Sequence, residues 1–288
     1  MITIKEALTK KEMKDYVMFS FELYKNNPYW IPPIIAEELE TFDKTKNPAL
    51  QTAEAHFYLA YKDNKIVGKI AAIINWEEVN LLGKRKARFG WFDAIDDVEV
   101  TKALLNKVEE LGRKHKMDHM EGPMGFSNLD KVGILSEGFD QMGNMITWYS
   151  LPYYITHFEQ LGFTKEKEYI ESDFSFNNIN PEPFQKASAL IKKRYELRSL
   201  NFTKTKDIMP YVDKMFDLFN ETYARLQSFV PINDIQKEYF KKKYIGFINP
   251  EFIKFIVDKN DNMIAFAIVM PGFAQALKKA NGKLFPFG

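Results

Sequence analysis

The chain has no cysteine. That absence excludes a disulfide framework, a thiolate nucleophile and any metal site built on sulfur. It also has no excess of charge: 40 Lys and Arg stand against 39 Asp and Glu, a formal net charge of +1. Chains that track a phosphate backbone carry a clustered basic surplus, so the balance points away from nucleic acid as a partner. Long apolar runs are missing as well. The stretches 70–74 and 263–270 are far short of the ~20 residues that span a bilayer, and Met1-Ile2-Thr3-Ile4-Lys5-Glu6 contains no signal-peptide core. The expectation is a cytoplasmic chain with no membrane partner. Histidine is scarce, at 4 residues. His115 and His119 lie four apart but straddle a predicted helix end, so no metal is expected.

What is abundant is apolar and aromatic. Hydrophobic residues make up 45% of the chain, with 25 Phe and 14 Tyr, ample material for more than one core. At roughly 150 residues per domain, 288 residues predict two domains. Met13, Val17, Phe21 and Tyr24 recur at helical spacing, and Pro28, Pro32 and Pro33 stop that helix; 34–42 reads as a second, shorter one. The run 57–61, the polar turn 62–65 and the run 66–74 read as a hairpin. A charged loop with Lys84, Arg85 and Lys86 precedes a strand over 87–95. Asp96 and Glu99 then form a capping box for a helix carrying Leu104, Leu105, Val108 and Leu111. A short strand is expected over 118–123. Pro152 opens a helix that Gly162 closes, and closing strands are expected over 165–176. After a linker at 177–183, helices at 184–195 and 207–226 and a strand at 197–202 lead to a second hairpin. Its strands are 252–258 and 263–270, around a turn at 259–262.

The second hairpin echoes the first, and in both halves two helices precede strand, polar turn and strand. This internal repeat predicts two copies of one unit. The segment 126–150 has weak periodicity, and loops longer than ~12–15 residues without structure are often functional. It carries Phe126, Ser127, Asn128, Asp140 and Trp148 as candidate substrate contacts, with Glu137 as a candidate base that Asp140 would orient. The alternative is a surface loop whose carboxylates face water or cap helices.

The order of elements, together with His157-Phe158-Glu159-Gln160-Leu161-Gly162-Phe163, resembles the GNAT N-acetyltransferase superfamily. The strings Gly90-Trp91-Phe92-Asp93-Ala94-Ile95-Asp96-Asp97, Gly122-Pro123-Met124-Gly125-Phe126-Ser127, Glu137-Gly138-Phe139-Asp140, Pro152-Tyr153-Tyr154 and 281–288 resemble a bacterial family of paired GNAT-like proteins of uncertain activity. The resemblance implies an α/β (α+β) fold of two GNAT-like units, each a mixed sheet flanked by helices. It implies a first unit at 1–176, a linker and helix at 177–194, and an incomplete second unit at 195–288. It also implies acyl transfer from acetyl-CoA or another acyl-CoA to a small-molecule amine.

Two features depart from the GNAT pattern. Where those enzymes grip the CoA pyrophosphate with a glycine-rich loop, this chain has Asp93, Asp96, Asp97 and Glu99. Carboxylates there stabilise a helix start and repel an anion. Where many of them carry a proton-donating tyrosine, it has Phe158. Tyr154, one turn earlier, is the candidate replacement. In the resembling family the second unit continues past the Leu-Phe-Pro-Phe-Gly string, and a phosphate loop is expected in that continuation. A non-catalytic protein that binds a small molecule or partner on the same scaffold is the alternative.

Overall fold

The computed structural model describes residues 1–127, 129–226, 229–246 and 248–285. They form two compact units, one of residues 1–166 with the segment from 272 onwards, the other of residues 167–271. The expected division at 176 and 195 differs from this one at both ends of the second unit.

The first unit runs β1 (Ile2–Glu6), α1 (Lys10–Leu23), α2 (Ile35–Thr41), β2 (Ala53–Lys62), β3 (Lys65–Asn75), α3 (Trp76–Leu82), β4 (Lys86–Ala94), α4 (Val98–Lys114), β5 (His119–Glu121) and α5 (Tyr153–Gln160). Its strands lie in the order β1-β2-β3-β4-β5, antiparallel except for the parallel β4–β5 pair. The fold is therefore mixed α/β. A capping box starts α1, with the Thr9 hydroxyl accepting from Glu12 N–H and the Glu12 carboxylate accepting from Thr9 N–H. The Asp63-Asn64 turn joins β2 to β3 with φ of 50° and 61°, the left-handed pair that matches strand twist in a two-residue hairpin.

Side chains alternate across the sheet and sort into two cores. Val67, Ile70, Ala72 and Ile74 of β3 pack with Leu104, Leu105, Val108 and Leu111 of α4 and Phe158 of α5. Ala71 and Ile73 pack on the opposite face with Tyr16 and Val17 of α1. Gly68 lets α4 approach closely, since a Cβ there would lie 2.8 Å from Leu104 Cδ1.

Several local expectations change. The cap of α4 is Asp97, which accepts from Glu99 N–H, one residue after the expected Asp96. The stretch before β4 is helical (α3), and Lys86 is buried between Glu78, 3.0 Å away, and Glu121, so it is not part of a solvated loop. No strand forms at 165–175. These residues are mostly exposed, and a strand there would have unpaired backbone groups and no core to cover.

The second unit runs α6 (Glu182–Tyr195), β6 (Arg198–Leu200), α7 (Thr205–Tyr223), α8 (Asp234–Phe240), β7 (Ile253–Val257) and β8 (Met263–Ile268). From β6 onwards it repeats the order β, α, α, β, β of the first five elements of unit 1. Its sheet order β6-β7-β8 mirrors β1-β2-β3, both antiparallel. Ile208, Val212, Met215 and Phe216 of α7 supply its core with Ile253 and Phe255 of β7. A last helix, α9 (Ala274–Ala280), belongs to unit 1, where Ile35 N–H donates to Gly282 C=O at 2.9 Å.

Candidate functional site

The β4–β5 pairing ends at Arg88 and Glu121. Beyond it the chain from β5 crosses tightly over β4: Met124 N–H donates to Phe89 C=O at 2.7 Å, and a Cβ on Gly90 would meet Met124 O at 2.2 Å. Between Gly90 and Asp93 the β3–β4 register slips, and Trp91 takes a φ of 44°. A bulge of this kind re-aims side chains. A non-glycine residue in the left-handed region costs roughly 1–2 kcal/mol, so the surrounding packing must hold it there. Past the bulge, Asp93 pairs across the sheet with Lys69 and lies 9% exposed.

Asp93 is the hub of the site. Its Oδ1 accepts from the hydroxyls of Tyr24 at 2.8 Å and Tyr154 at 3.2 Å. Its Oδ2 accepts from the Ser20 hydroxyl at 2.6 Å and lies 3.6 Å from the ammonium of Lys69. A carboxylate offers about four lone-pair sites; three accept hydroxyls here, and the Lys69 ammonium stands beside Oδ2. Asp93 is therefore an anchor that aims other groups. Lys69 also lies 5.0 Å from the centre of the Tyr16 ring, a cation–π contact. Burial first, and the Asp93 charge second, push the hydroxyls of Tyr16, Tyr24 and Tyr154 well up.

Ser20, Tyr24, Lys69, Asp93 and Tyr154 line a cavity of about 60 Å³ within unit 1. Its aromatic wall is Trp30, Trp91, Trp148 and Tyr149, and Glu38 of α2 and Lys131 of the long loop also border it. Burial pushes the Lys131 ammonium down and Lys69 adds to the effect, while Glu38 and Asp93 oppose it. The loop is held in place by polar anchors: Tyr149 donates to Phe139 C=O at 2.7 Å and accepts from Asn27 at 3.2 Å.

Of the residues nominated from sequence, Tyr154 and Trp148 lie on the cavity wall. Phe126 does not. It is buried in the α1-side core against Trp91, and its carbonyl accepts from Asn75 at 2.9 Å. Ser127 closes a local turn, its N–H donating to Asp130 at 2.8 Å. Glu137 and Asp140 are exposed and off the cavity. Asn128 lies outside the described residues. Sequence reasoning missed Ser20, Tyr24, Glu38, Lys69, Asp93 and Lys131. A usable signal existed for two of them: Lys69 and Asp93 each interrupt a run that otherwise reads as a fully buried strand, and a charge there needs a partner.

Where the resemblance implies an acyl-CoA pyrophosphate, the start of α4 is acidic and bonded within the chain. At the start of α4 the Asp97 carboxylate already accepts from Glu99 N–H and from Lys62 at 2.9 Å, and Asp96 lies 3.1 Å from His157. The free edge of β4 is occupied as well. Ala94 N–H donates to the Tyr154 hydroxyl at 3.0 Å, and Ala94 C=O accepts from Tyr153 at 2.7 Å. Phe158 packs into Phe89, Phe92 and Phe163 and has no proton to donate. Among the described residues no group of three or more His, Asp or Glu could hold a metal, and no helix is long and apolar enough to cross a membrane.

No family model matches the chain. It is similar over 99% of its length, at 27% identity, to Protein YghO of Escherichia coli (strain K12), covering 72% of that protein. It is 24% identical over 97% of its length to a bacterial ceramide synthase of Caulobacter vibrioides, again covering 72% of it. Among solved structures it resembles a tandem GNAT protein from the clavulanic acid biosynthesis pathway, at 11% identity and a TM-score of 0.48, covering 94% of this chain and 76% of that one.

Proposed function

We propose that the chain is an N-acyltransferase of the GNAT type in which unit 1 supplies the pocket for the acceptor amine and does not grip the donor. The observation that carries this reading is the built cavity at Asp93, a buried carboxylate that accepts from three hydroxyls beside an ammonium and is walled by aromatic rings. Polar groups fixed this firmly are preorganised to orient a small ligand. Transfer of an acyl group to an amine forms a C–N bond, breaks the bond to the leaving group and moves one proton from nitrogen to the leaving group. Tyr154, held by Asp93 and by Ala94 N–H, is the hydroxyl best placed to orient the amine as that proton leaves. Similarity to a protein named as a ceramide synthase supports amide formation, since a ceramide is an amide. The proposed donor is acetyl-CoA or another acyl-CoA, held outside the α4 start.

A second reading, a non-catalytic binding protein, is favoured by the tyrosine hydroxyls on the β4 edge and the acidic start of α4. One experiment separates the two. Acetyl-CoA and long-chain acyl-CoAs are tested for thermal stabilisation, and CoA thiol release is followed with a panel of small amines. A ligand at a hundredfold its Kd adds about 2.7 kcal/mol of stability. The transferase reading expects stabilisation and amine-dependent thiol release. If neither is seen, it fails and the binding reading stands.

A further inference from the structure

The cavity contains two charges that Asp93 does not account for. Lys69 is matched with Asp93, but Glu38 and Lys131 are not matched with each other. Among the described residues neither side chain has a hydrogen bond or an ion pair, although Glu38 is close enough to act on the Lys131 ammonium. Their separation exceeds the 4.0 Å of a direct ion pair. An unpaired carboxylate and an unpaired ammonium thus border one small cavity, with a gap between them.

Partly buried charges are costly unless partnered. A ligand bearing only an amine would satisfy Glu38 and leave Lys131 bare. A ligand bearing only an anion would do the reverse. A ligand with both charges a few ångströms apart meets both. Size narrows the choice: a cavity of about 60 Å³ has room for roughly four to six water-sized atoms, at about 10–15 Å³ for each. That is room for a head group of about five heavy atoms.

We infer that this pocket binds a small zwitterion of the α-amino acid class, its ammonium on Glu38 and its carboxylate on Lys131. As the acceptor of acyl transfer this ligand rests on the function proposed above, but its binding does not. The direction in which burial pushes Lys131 agrees with a cation that lacks its counter-anion. The other charged groups near it are Lys69 of β3 and Asp93 of β4, already matched to each other.

The test is calorimetric titration of the whole chain, without any acyl donor, with glycine, L-alanine and L-serine as zwitterions, ethanolamine as the amine alone and acetate as the anion alone. The expected result is binding of at least one zwitterion at least tenfold tighter than ethanolamine or acetate. Lys131→Met should abolish that preference while leaving ethanolamine binding unchanged, and Glu38→Gln should leave only acetate-like binding. Equal binding of ethanolamine and the zwitterions, or no binding of any zwitterion to the unaltered protein, overturns the inference whatever the variants do. Zwitterion binding without thiol release in the acyl-CoA assay upholds the inference and sinks the transferase reading. Thiol release with amines but no zwitterion binding does the opposite.

Discussion

Replacing Asp93 by Asn tests whether the polar hub holds unit 1 together. The carboxylate accepts three hydroxyl hydrogen bonds and faces Lys69, itself only 4% exposed. Asparagine keeps the shape but offers one oxygen with two lone pairs, so at least one of the three hydroxyls loses its acceptor. The larger effect is electrostatic, because the Lys69 ammonium is left without the anion beside it. Removing one partner of a buried pair costs about 3–5 kcal/mol, a large share of a typical domain's 5–15 kcal/mol. The assay is urea unfolding followed by tryptophan fluorescence. Trp30, Trp76, Trp91 and Trp148 are the only four tryptophans and all lie in unit 1, so the signal reports that unit. At a denaturant slope of roughly 2 kcal/mol per M, the midpoint should fall by about 1.5–2.5 M. Adding Lys69→Met removes the stranded charge and should restore more than half of the loss. A shift under about 0.5 M, or a double variant as unstable as the sum of the singles, would refute the claim that charge pairing dominates here.

Phe158→Tyr puts a hydroxyl among Phe89, Phe92 and Phe163. It should lower unit 1 stability by about 1–3 kcal/mol in a thermal melt and raise no thiol release. Gly90→Ala should cost at least about 1–3 kcal/mol in the same melt, because the new methyl meets backbone at 2.2 Å and neither strand can yield cheaply. Burial pushes the Glu54 carboxyl up, but hydrogen bonds from His56, His115 and Lys114 carry it down from 4.5 to about 2. A depressed carboxyl contributes stability above its unfolded value and loses it as pH falls through the folded one. Urea midpoints should therefore drop between about pH 5 and pH 2, and Glu54→Gln should flatten that slope.

Much of the architecture was legible from local pattern. The hairpin of β2 and β3 follows from apolar runs on either side of Asp63-Asn64, and the repeat in β7 and β8 from the same pattern. Those features depend on neighbours within a few residues, where periodicity and turn chemistry act. The misread parts have tertiary causes. Residues 165–175 have strand-like composition but lie mostly exposed and form no strand, and Lys86 reads as a loop charge until Glu78 and Glu121 close round it.

For the site, length alone marked 126–150 as a candidate loop, and the helical turn from Phe158 marked Tyr154. The sequence by itself determined the β2–β3 hairpin, its echo in β7 and β8, the acidic run of Asp93, Asp96 and Asp97 and the aromatic Phe158. Only the tertiary structure decided what Asp93 does. Its partners Ser20, Tyr24 and Tyr154 lie 73, 69 and 61 residues away. A carboxylate that reads as a helix-start charge becomes an anchor because the donors that surround it, and not its place in the chain, set its chemistry.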